Sequence, residues 1–134
     1  MSSKAAIKIM LSLLVCVMLF HLSIILKMVP YEITWGGRLK SDAEMYVFET
    51  ISMLINLLLF SILLIKGGFV KEFISLKAVS IILWIFMVLF GLNTIGNLFA
   101  ETILEKCFAV LTFAFVILIW TILKRGNKRV HNNV

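Results

Sequence analysis

The chain has 134 residues, 62% of them hydrophobic and 15% charged, with a net charge of +6 and a mean hydropathy of +1.10. A water-soluble domain carries about 25% charged and about 45–50% apolar residues, and a chain of this length has too little interior to hide the surplus. Composition therefore excludes a soluble globule and a nucleic-acid partner, since the basic residues flank apolar runs in short blocks and are not interleaved with exposed aromatics.

A membrane-spanning helix needs about 20 mainly apolar residues. Four segments qualify: 5–26, 45–65, 78–99 and 103–123. Each is apolar on nearly every face, which suits lipid rather than a half-wetted surface. None alternates as a transmembrane β-strand would. The expected fold is an all-α membrane protein, an antiparallel bundle of four transmembrane helices forming a single membrane domain over 1–134.

The first span follows Lys4 and Lys8, as the apolar run of a signal peptide would. It is too long for that reading, and no small-residue cleavage site follows it. Residues 27–44 form the longest connection, broken by Pro30, Gly36 and Gly37. Lys66-Gly67-Gly68 reads as a helix stop after the second span. Residues 100–102 join the third and fourth spans tightly, and residues 124–134 read as a polar tail that frays. Cys16 and Cys107 differ in depth by roughly 15 Å at about 1.5 Å per residue. A disulfide requires Cα atoms within about 7 Å, so two free thiols are expected.

Orientation follows from counting basic residues. With the N-terminus inside, the cytoplasmic face holds Lys4, Lys8, Lys66, Lys71, Lys77, Lys124, Arg125, Lys128 and Arg129, and the outer face holds Lys27, Arg38, Lys40 and Lys106. Cytoplasmic loops carry the excess of Lys and Arg. The expectation is a multi-pass protein of the cell membrane with both termini cytoplasmic. The same basic blocks suit anionic lipid headgroups.

Ionisable groups are costly in hydrocarbon, so each one within a span is a candidate site residue. His21, Glu49, Asn93 and Asn97 lie on three different spans, all within roughly 10 Å of the outer interface at about 1.5 Å per residue. At about 100° per residue, Glu49, Ser52 and Asn56 share one face of the second span. Asn93 and Asn97 share a face of the third, and Glu101 extends that stripe. Gly96 and Ala100 beside it form a small-xxx-small pair that permits close helix approach.

The bland alternative makes the Asn and Ser side chains interhelical hydrogen-bond glue. It leaves Glu49 wetted at the interface or paired with Lys27 or Arg38. The outer loop adds Trp35, Gly36, Gly37 and Arg38, which read either as a lid over an outward-opening cavity or as a compact loop on the membrane surface. Candidate ligand-binding residues are therefore His21, Trp35, Arg38, Glu49, Ser52, Asn56, Asn93, Asn97 and Glu101.

Catalytic and cofactor motifs are missing from the sequence: no HExxH, CxxC pair, GxSxG, Walker loop or GxGxxG occurs. With two histidines, one of them His131 in the tail, no metal site or cofactor is expected. The size matches small multidrug transporters, but those carry a carboxylate in their first span and this chain has none. The expected function is binding or transport of a small ligand, ion or lipid in an outward-facing polar pocket, with membrane lipid and a homodimer or larger membrane partner as associates. The alternative is an accessory subunit of a larger membrane assembly. A lipid-modifying enzyme using His21 and Glu49 as acid and base is the least favoured reading.

Overall fold

A computed structural model describes the backbone of residues 1–131 and, apart from residues 36 and 125–131, their side-chain environments. Its four long helices are α1 (Ser3–Ile25), α2 (Asp42–Gly67), α3 (Leu76–Leu98) and α4 (Ile103–His131). Among the described residues there is no strand. All four helices are long and apolar enough to cross a membrane, and the chain is a multi-pass membrane protein built as a four-helix bundle.

Each helix starts on a cap that the sequence supplies. Ser2, Ser41 and Ser75 accept hydrogen bonds from the backbone N–H groups of Ala5, Glu44 and Ala78, at 3.1, 3.2 and 3.2 Å. Thr102 does the same for Glu105 at 3.2 Å. Such caps satisfy donors that the first helical turn leaves without partners. The stop at Gly67-Gly68 is as expected: Gly68 takes the left-handed conformation, φ 69°. Its N–H donates to the Ile65 carbonyl and that of Phe69 donates to Leu64. α1 ends similarly on Lys27, φ 57°, whose ammonium bonds the Asp42 carboxylate across the loop. That bond holds the Lys27 ammonium above its ordinary value of 10.5.

Helical backbone continues into the segment read as a fraying tail, reaching His131. Gly126 costs a helix only about 1 kcal/mol and no proline follows it. Residues 132–134 lie outside the described residues.

The packing seam repeats every three or four residues on every helix. On α1 it runs through Ile7, Met10, Leu14, Val17, His21 and Ile24. On α2 it runs through Met45, Glu49, Ser52, Asn56, Leu59 and Leu63. Val79, Leu83, Phe86, Phe90, Asn93 and Asn97 form it on α3, and Glu105, Phe108, Thr112, Phe115, Ile119 and Ile122 on α4. This is the spacing that keeps one stripe turned to neighbouring helices. The α1/α2 and α3/α4 pairs pack most extensively, α1 also packs on α4, and α2 and α3 share a smaller contact. In the half of the bundle that holds Ile7, Leu63, Leu83 and Ile119 the seam is apolar and closes into one core. Outward faces remain apolar too: Leu54 is 60% exposed and Val110 72%. That pattern suits lipid and not water.

Candidate polar cavity

Toward the end of the bundle that carries the 27–41 loop, all four seams turn polar. His21 on α1, Glu49, Ser52 and Asn56 on α2, Asn93 and Asn97 on α3, and Thr112 and Glu105 on α4 occupy positions that are apolar one or two turns deeper. They enclose a cavity of about 200 Å³ with aromatic walls from Phe20, Phe90, Phe108 and Phe115. Thr34 and Trp35 of the loop complete it.

Glu49 is its best-defined member. The residue is 0% exposed, and each carboxylate oxygen has its own donor. His21 Nδ1 lies 2.6 Å from Oε2, and Trp35 Nε1 donates to Oε1 at 2.8 Å. An ionised carboxylate in a dry setting requires such partners, because leaving it bare costs several kcal/mol. Glu49 is thus neither wetted nor paired with a surface lysine. Lys27 is taken up by Asp42, and among the described residues the only ion pair of Glu49 is with His21.

With Nδ1 committed to Glu49, Nε2 is the ring nitrogen left over, and it has no described partner. No buried side-chain nitrogen or oxygen among the described residues lacks a hydrogen bond, so Nε2 is not sealed from its surroundings. A histidine whose one nitrogen is fixed by a carboxylate has a defined ring orientation and tautomer.

The loop reaches Glu49 through two single-turn 3₁₀ helices, Tyr31–Ile33 and Trp35–Gly37. Thr34 between them is buried and its hydroxyl donates to the Tyr31 carbonyl at 2.7 Å. Trp35 adopts φ 54°, a conformation that costs a residue with a Cβ about 1–2 kcal/mol. The indole bond to Glu49 and an edge-to-face contact with Phe48, ring centroids 5.1 Å apart, offset that cost. The loop therefore covers the cavity rather than lying apart from it.

Other predicted residues fall around this centre. Asn56 lines the cavity, and its Nδ2 donates back to the Ser52 carbonyl at 2.8 Å. Asn93 and Asn97 line the cavity and also a second depression, which Arg38, Phe48 and Gly96 border where α2 and α3 part. Arg38 stands at that outer depression and not in the cavity. Glu101 is exposed in the α3–α4 turn and lines neither space. Gly96 does not mediate close approach within the chain, since a Cβ built there meets nothing within 4 Å.

Sequence reasoning missed Glu105 and Thr112. Glu105 is 6% exposed and accepts from the Thr102 hydroxyl at 2.7 Å. The same hydroxyl accepts from the Glu105 N–H at 3.2 Å, so the Thr102 side chain is tied to both the backbone and the carboxylate of Glu105. The Thr102-x-x-Glu105 spacing was the available signal, and it sets the carboxylate on the seam of α4. Thr112 joins Thr94 of α3 at 2.9 Å.

The far end of the bundle is different in charge. A depression there is bordered by Lys77, Lys124, Trp84 and Trp120, and Lys66 Nζ donates to Ser80 at 3.0 Å. Cys16 and Cys107 are both free and exposed. Among the described residues no group of three or more His, Cys, Asp or Glu side chains gathers to hold a metal. The chain matches no protein-family model, no curated protein sequence and no solved structure.

Proposed function

We propose that the chain is a cell-membrane protein of antiparallel helices, both termini cytoplasmic, that binds a small ligand in the polar cavity of its outer half. The observation that carries this reading is the change of all four packing seams from apolar to polar at one level around a half-open cavity. Helix glue alone needs polar groups bonded to each other. Here several line a void instead, with the His21–Glu49–Trp35 cluster built into its wall. The basic residues at the opposite end support the orientation, because positive charge marks the cytoplasmic face.

Chemical access tests the proposal. On a Cys16→Ser, Cys107→Ser background, Ser52→Cys and Asn97→Cys should react with a membrane-impermeant thiol reagent added outside intact cells, and Ser80→Cys should not. Protection of positions 52 and 97 would remove the outward-facing cavity. Labelling of position 80 from outside would invert the topology.

A further inference from the structure

We infer that the depression between α3 and α4, at the end of the bundle away from the 27–41 loop, seats the headgroup of an anionic glycerophospholipid. The inference stands apart from the outer cavity and does not depend on it. The depression has a volume of about 490 Å³, and Lys77 of α3 and Lys124 of α4 border it. Both side chains are exposed. Lys66 of α2 stands beside them. Its Nζ donates to Ser80 Oγ at 3.0 Å, and that hydroxyl donates onward to the Leu76 carbonyl at 2.9 Å. Ser80 lines the depression, so three helices bring an ammonium group to it or next to it.

None of the three is neutralised by a carboxylate. Among the described residues the ion pairs are His21–Glu49 and Lys27–Asp42, both elsewhere. Of the seven acidic residues in the chain, Glu72 alone lies at this end. It is exposed in the connection between α2 and α3 and does not line the depression. Residues 125–134, which follow Lys124, add further basic residues and no acid. Basic pockets between membrane helices suit anionic headgroups. A zwitterionic lipid brings its own cation, which these lysines repel.

The rest of the wall selects a lipid over a free anion. Trp84 and Trp120 meet edge to face with ring centroids 6.0 Å apart, and both are about half exposed, as is Ile81 beside them. At about 1.5 Å per residue, Trp84 lies roughly 10 Å along its helix from Lys77, and Trp120 roughly 6 Å from Lys124. Beyond the indoles the same helices present Ile85 and Ile117, again about half exposed. The order is ammonium, indole, aliphatic surface. It matches the phosphate, glycerol ester and acyl chain of a phospholipid, and tryptophan favours that interfacial level. A free phosphate would meet the lysines and leave the indoles uncovered.

The indole pair serves as the reporter. The chain has three tryptophans, so Trp35→Phe leaves only Trp84 and Trp120. This parent is reconstituted in phosphatidylcholine vesicles that contain a minor fraction of lipid brominated near the top of one acyl chain. The bromolipid is phosphatidylglycerol in one series and phosphatidylcholine in the other. Quenching should give phosphatidylglycerol a relative association constant about fivefold or more above phosphatidylcholine, the equivalent of one lysine at a membrane surface. Lys77→Gln with Lys124→Gln should bring the two lipids level. Lys4→Gln with Lys71→Gln removes the same charge from the same end and should leave the preference intact. No preference in the parent, or an equal fall in both double variants, would overturn the inference, since only a diffuse field would then act. Inorganic phosphate at constant ionic strength should not displace the bromolipid. Displacement would make the occupant a free anion and overturn the lipid.

Discussion

Replacing Trp35 by Phe, in a cycle with Glu49→Gln, isolates the coupling between the loop and Glu49. The substitution keeps an aromatic ring near Phe48 but removes the indole's five-membered ring and with it the N–H that donates to Glu49 Oε1 at 2.8 Å. Glu49 is 0% exposed, so no water replaces the donor unless the loop moves. A hydrogen bond to a charged group contributes about 1.5–3 kcal/mol, and interhelical polar contacts measured in membranes average about 0.6 kcal/mol. The structure favours the upper range, because the acceptor is fully enclosed and the donor is held in a strained backbone conformation whose cost the bond must exceed. The assay is a double-mutant cycle of Trp35→Phe and Glu49→Gln by reversible unfolding in bicelles. A coupling free energy of about 1.5–3 kcal/mol corresponds to roughly 12- to 160-fold in the unfolding constant. Coupling below about 0.5 kcal/mol would show that the two side chains act independently, and that the loop does not anchor on Glu49.

His21→Ala should be more damaging than Trp35→Phe, since it strips Oε2 of its partner at the bundle seam. Removing one member of a buried pair costs about 3–5 kcal/mol. The double substitution His21→Leu, Glu49→Leu should recover much of that loss, because apolar replacement of a whole buried pair is often neutral. Equal destabilisation of the single and double variants, measured in the same unfolding assay, would count against an internal ion pair. Gly68→Ala should lower stability by about 1–2 kcal/mol, the cost of the left-handed region for a residue with a Cβ, and an unchanged unfolding midpoint would contradict the helix-stop geometry. Its position at the end away from the loop should leave the outside labelling of Ser52→Cys and Asn97→Cys as it is.

Much of this architecture was legible in the residues themselves. The apolar runs set four spans because hydrocarbon accepts only helices whose backbone groups bond internally. Gly68 marked an end where a left-handed residue satisfies the terminal turn, whereas the caps at Ser2, Ser41 and Ser75 emerged only in the structure. His21, Glu49, Ser52, Asn56, Asn93 and Asn97 stood out as polar groups at one depth. They were the informative signal for facing, since a helix apolar all round carries no amphipathic stripe to say which side turns inward.

What the sequence by itself determined, then, is the number of spans, their approximate extent and the level at which polarity gathers. These are local properties, decided by transfer free energy and backbone hydrogen bonding within each segment. The tertiary structure alone decided which partners meet. His21 rather than Lys27 or Arg38 faces Glu49, Trp35 closes over it from a loop with positive φ, and Glu105 rather than Glu101 lines the cavity. Those outcomes depend on helix rotation and neighbour order. In lipid these are set by packing and by the demand that buried charge find a donor, neither of which any single segment specifies.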